Sequence, residues 1–122
     1  MAVKILVVDD DPSTIRLLIA LLSAQGYNVI SAQDGLDALV AIKKENPQLV
    51  ILDIMMPEIN GYDVCYQLRF NKDYEKIPIL LLTVRNKELD DMVARNTRIE
   101  YLPKPVDTKL LLEKINYLLG TN

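Results

Sequence analysis

The chain has 122 residues, half of them hydrophobic and a quarter charged, a length and composition that suit one compact domain over residues 1–122 and exclude disordered and fibrous classes. A lone cysteine, Cys65, excludes an internal disulfide or a cysteine-built metal cage, and the absence of histidine removes histidine-based triads, the usual zinc sites and the commonest general base. With 17 acids against 14 bases the net charge is -3, so no direct contact with nucleic acid is expected.

Val3–Val8 is a short β-branched run with little polar alternation, as expected of a parallel strand covered on both faces. Asp11, Pro12 and Ser13 then open a helix, with Ile15, Leu18, Ile19 and Leu22 at helical spacing and Gly26 closing it. Tyr27–Ser31 is a second strand. Asp34–Lys44 is a second helix, stopped by Asn46 and Pro47, and Leu49–Leu52 is a third strand. Gly61–Phe70 is helical, and Cys65 sits in it beside Val64 and Leu68, a position suited to packing. Ile79–Leu82 is a fourth strand announced by Pro78, Lys87–Arg95 a helix with few apolar anchors, and Glu100–Leu102 a short fifth strand. Leu110, Leu111, Ile115 and Leu118 mark a final helix ending at Gly120.

Five strands alternating with five helices predict an α/β fold, a five-stranded parallel sheet doubly wound by helices on both faces; the expected order is 2-1-3-4-5, flavodoxin-like, which would make the first and third strands neighbours. The apolar runs are too short to span a membrane and the N-terminus lacks a signal-peptide succession, so no membrane insertion and a cytoplasmic location are expected.

In such sheets ligands bind beyond the carboxyl ends of the strands, where the order reverses. That edge collects polar residues: Asp9 and Asp10 after strand one, Asp53 after strand three, Thr83 after strand four and Lys104 after strand five. Asp11 is best placed to cap the first helix, which leaves Asp9 and Asp10 for the pocket. Two like charges about 4 Å apart repel by about 4 kcal/mol at an effective dielectric near 20, so the cluster requires cations. Lys104 supplies one charge, and oxygen-only ligands select a hard ion such as Mg²⁺, which leaves positions for phosphoryl oxygens. The site suits phosphoryl transfer, with a carboxylate such as Asp53 as the nucleophile.

On these residues the whole chain resembles the receiver domain of two-component response regulators, including single-domain chemotaxis-type regulators. The resemblance is carried by VVDD at 7–10, DIMMPEING at 53–61, LLT at 81–83 and LPKP at 102–105. It implies that Asp53 accepts a phosphoryl group from the phosphohistidine of a sensor histidine kinase or a histidine phosphotransfer protein, with Asp9, Asp10, Asp53 and the backbone carbonyl of Met55 holding Mg²⁺. It further implies that Lys104 pairs with the phosphoryl group, that Thr83 hydrogen-bonds it in the active state, and that Tyr101 is the aromatic switch. The chain would act as a phosphoacceptor, not as an enzyme on a separate substrate, and hand its signal to a downstream protein target. Two departures stand out: Val84 where the family usually carries a smaller residue, and NTRIE at 96–100 in place of the usual glycine, alanine and aspartate.

Other accounts fit less well. A haloacid dehalogenase-type phosphatase needs an acid two residues after its nucleophile, where this chain has Met55, and the four scattered glycines build no phosphate-cradling loop. The stronger rival is a receiver-like interaction module whose output is independent of phosphorylation.

Overall fold

The computed structural model describes residues 2–56, 58–83 and 98–120. Five parallel strands form one sheet: β1 Lys4–Val8, β2 Asn28–Ala32, β3 Leu49–Asp53, β4 Ile79–Thr83 and β5 Ile99–Pro103, in the order β2-β1-β3-β4-β5. The described helices are α1 Pro12–Ala24, α2 Gly35–Glu45, α3 Gly61–Arg69 and α4 Thr108–Leu119. The expected sheet order is observed. Of the five helices expected, four are described, and Lys87–Arg95 lies outside the described residues, as does Val84.

Strand boundaries differ from the sequence reading by one residue in places, most usefully at Asp53 and Thr83. Both polar residues are the last members of their strands instead of the first loop residues, because each still pairs with its neighbour: Asp53 lies opposite Leu82 and Thr83 opposite Pro103.

Successive side chains of a strand point to opposite faces, so an unbroken apolar strand feeds two cores at once. Ile5, Val7, Leu49, Ile51, Leu80 and Leu82 join Leu18, Leu22, Leu111 and Ile115 in one cluster, under α1 and α4. Leu6, Val8, Val50, Leu52, Ile79 and Leu81 join Ala38, Ile42, Val64 and Leu68 in the other, under α2 and α3. Cys65 is buried in that second cluster, and burial pushes its thiol up to about 11, which keeps it protonated and inert near neutral pH.

Every described helix opens on a side-chain cap that satisfies one of its orphan N–H groups. Asp11 accepts from the N–H of Ser13, Asp34 from Asp37, and Asp107 from Leu110. At α3 Asn60 and Asp63 form a reciprocal capping box. Asn46 and Gly120 close α2 and α4 in the left-handed conformation. Among the described residues no helix is long and apolar enough to cross a membrane.

Candidate acidic site at the carboxyl edge of the sheet

Strand register brings the predicted site together. Val8 lies abreast of Leu52, so the residues that follow them, Asp9 and Asp53, emerge side by side at the reversal point between β1 and β3. Thr83 stands opposite Pro103, and the N–H of Lys104 donates to the Thr83 carbonyl at 3.3 Å, which ties the lysine's backbone to the end of β4.

Asp9, Asp53 and Thr83 are the buried polar side chains among the described residues, at 0%, 3% and 4% exposure. The Lys104 ammonium donates to Asp9 Oδ2 at 3.0 Å and stands 3.4 Å from Asp53 Oδ1. The other Asp9 oxygen accepts the N–H of Asp11 at 2.9 Å, and Asp53 Oδ1 accepts the N–H of Met55 at 3.2 Å. These bonds fix the direction of both carboxylates. Asp10 is exposed, yet it offers an oxygen to the same spot: one carboxylate oxygen from each of Asp9, Asp10 and Asp53 lies within 4.8 Å of the others.

Three carboxylates therefore face one ammonium, and the electrostatics record the imbalance. Burial pushes the Asp53 carboxyl above its ordinary value and the negative charge of Asp9 pushes it further; the Lys104 charge and the Met55 N–H pull it down without cancelling the rise. Burial alone would lower the Lys104 ammonium, but its hydrogen bond to Asp9 and the charges of Asp53 and Asp9 hold it above its usual value. A divalent cation would relieve both effects, and a cluster of carboxylate oxygens with no nitrogen or sulfur donor fits a hard ion such as Mg²⁺.

Of the remaining expected residues, Thr83 ends β4 at the same edge. The Met55 side chain is 75% exposed, while its backbone turns back over Asp53 through the N–H bond. Tyr101 lies in β5, half-buried, with the Lys114 ammonium 5.7 Å from its ring centre. Lys114 also pairs with Glu100 at 3.1 Å.

Sequence reasoning missed what glycine does at the start of α3. A Cβ on Gly61 would stand 2.5 Å from the Asp53 carbonyl oxygen and 2.7 Å from the Ile54 Cα, so the helix approaches the end of β3 only because that atom is absent. A signal was there: glycine is a poor helix former, and one at a well-capped first helical position calls for a packing reason.

Residues 5–116 match the model of the response regulator receiver domain. The chain belongs to this family. Receivers act in phosphorelay signal transduction, and this receiver does so by membership. It is 36% identical over 118 residues to Protein PilH of Pseudomonas aeruginosa, covering 96% of this chain and 98% of that protein. It is 45% identical over 121 residues to the probable transcriptional regulator ycf27 of Porphyridium aerugineum, covering 95% of this chain but 48% of the relative. The receiver thus spans about half the length of several curated relatives. Its fold superposes on the chemotaxis protein CheY4 of Vibrio cholerae with a TM-score of 0.89 at 29% identity, covering 98% of this chain and 100% of that one.

Proposed function

We propose that residues 1–122 work as one cytoplasmic receiver whose Asp53 takes a phosphoryl group from the phosphohistidine of a sensor histidine kinase or a histidine phosphotransfer protein. An Asp53 carboxylate oxygen forms the new bond to phosphorus as the donor's nitrogen–phosphorus bond breaks, and the imidazole leaves. Asp9, Asp10, Asp53 and the Met55 carbonyl would hold Mg²⁺, which supplies charge neutralisation for the transferred oxygens. Lys104 offsets the charge of the acid cluster and is in reach of a group built on Asp53. Thr83 would donate its hydroxyl to the phosphoryl group, and Tyr101 would follow that bond and alter the surface read by a downstream protein. The chain is then the acceptor of the group, with no separate substrate to turn over.

The single observation that supports this reading most is the ammonium held 3.0 Å from Asp9 and 3.4 Å from Asp53, a cation already spanning both acids. The test is incubation with acetyl phosphate and Mg²⁺, followed by intact mass. The wild type gains one phosphoryl group, Asp53→Asn gains none, a chelator abolishes labelling, and Asp11→Asn leaves it largely intact. Labelling of Asp53→Asn to the wild-type extent, or none in the wild type, would overturn the proposal.

A further inference from the structure

The loop after β3, of which residues 54–56 and 58–60 are described, carries the carbonyl assigned above to the metal, and the described part is held in a demanding conformation. The N–H groups of Met56 and Gly61 both donate to the Ile54 carbonyl, at 3.0 Å each. Glu58 sits at φ 62, in the left-handed region that a residue with a Cβ rarely adopts. Something outside the loop must keep it there.

Two glycines press on it. Gly61, at the start of α3, meets the backbone of Asp53 and Ile54, as described above. Gly35, at the start of α2, is far from the acids in the chain, yet a Cβ on it would stand 2.5 Å from the Ile59 carbonyl oxygen, 2.7 Å from its Cγ2 and 2.8 Å from its Cβ. Its backbone φ is not in the left-handed region, so conformational freedom is not its reason to be glycine. Alanine is the better helix former, so the contact with Ile59 is what excludes it. The other two glycines are the reverse case: Gly26 and Gly120, at φ 91 and 72, have nothing within 4 Å of an added Cβ.

We propose that Gly35 is a positioning residue for the phosphoacceptor loop: lacking a Cβ, the first turn of α2 seats Ile59 and so holds residues 54–56 with the Met55 carbonyl at the acid cluster. This rests on the metal assignment of the preceding subsection. Groups that orient metal ligands without touching the ion commonly change its affinity tenfold or more when altered, and Gly35 acts through Ile59 in that way.

The experiment is a Mg²⁺ titration of the intact chain, read by calorimetry and by backbone amide shifts, for the wild type, Gly35→Ala, Ile59→Ala and Gly26→Ala. Gly35→Ala raises the Mg²⁺ Kd about tenfold and shifts the Ile54, Met55 and Met56 amides even without metal. Ile59→Ala, which removes the other side of the contact, raises Kd in the same direction, and it carries the test if Gly35→Ala fails to fold. Gly26→Ala introduces backbone strain in open space, so it lowers the melting temperature and leaves Kd at the wild-type value. A folded Gly35→Ala or Ile59→Ala with Kd within twofold of the wild type, or an equal rise in Gly26→Ala, would overturn the proposal. If the wild type binds no Mg²⁺, the metal assignment falls and the metal-free spectrum judges the clamp: unshifted Ile54–Met56 amides in Gly35→Ala then overturn it.

Discussion

The two edges of the sheet use the same residue types to opposite ends. At the amino edge, the Lys4 ammonium meets Glu45 at 3.0 Å with both side chains about 30% exposed, and the Lys4 N–H donates to the Gln48 side chain at 3.1 Å. Arg69 donates to the carbonyls of Ile77 at 2.8 Å and Arg98 at 3.4 Å, closing the turns into β4 and β5. The Lys4 charge there is matched by a part-exposed acid, and Arg69 Nη2 is spent on backbone carbonyls. At the carboxyl edge, Asp9 and Asp53 are out of contact with solvent and share a single ammonium. Structural pairing at one end and unbalanced charge at the other are what separate a loop fastening from a site.

Matched substitutions sharpen the contrast. In metal-free protein, Lys104→Met is expected to show the largest effect, because it strands two buried acids. Breaking a buried pair costs about 3–5 kcal/mol, and the one-third exposure of the Lys104 side chain brings the expected loss nearer to about 2 kcal/mol in urea denaturation. A loss no greater than that of an exposed pair would break the comparison.

A smaller effect of opposite sign is expected for Asp53→Asn. The Asp53 carboxyl titrates above its ordinary 3.8 in the fold, so the folded state holds that proton more tightly than the unfolded chain does. Its contribution to stability is complete below pH 3.8 and is lost as pH rises through the folded-state value. Metal-free wild type should therefore be less stable than Asp53→Asn at neutral pH, and the gap should close toward acid. Saturating Mg²⁺ should reverse the order, since the ion takes the place of the proton. A gap that stays constant from pH 4 to 7 would show that the acid is not perturbed.

The smallest effect belongs to the amino edge. Lys4→Met should cost under about 1 kcal/mol, fall further in high salt, and leave phosphoryl labelling unchanged. Its thermal melt beside that of Lys104→Met is the direct measurement of how different the two edges are.

Much of the carboxyl edge was legible because strand ends and caps are local signals. The runs Ile5–Val8, Leu49–Leu52 and Ile79–Leu82 are apolar at every position, as suits a strand covered on both faces, so the polar residue that follows each is conspicuous. Asp11 was expected to cap α1 and does, accepting from the Ser13 N–H at 2.9 Å. Asp9 and Asp10, by contrast, read as equals in VVDD. Their difference, one fully buried on Lys104 and the other exposed though it still offers an oxygen to the same cluster, depends on a lysine 95 residues away in the chain. Gly35 was unreadable in the same way, since nothing near it in the chain mentions Ile59.

The amino-acid sequence by itself determined the types of the described elements and which strand ends carry the acids, because hydrophobic period and capping act over a few residues. Only the tertiary structure decided which acid the lysine holds, that Asp53 is driven above its ordinary titration, and which glycines are needed for contact instead of for a turn. Lys104 and Asp9 are 95 residues apart in the chain and 3.0 Å apart in space. Coulomb energy, burial and steric contact depend on the second distance, which no local pattern encodes.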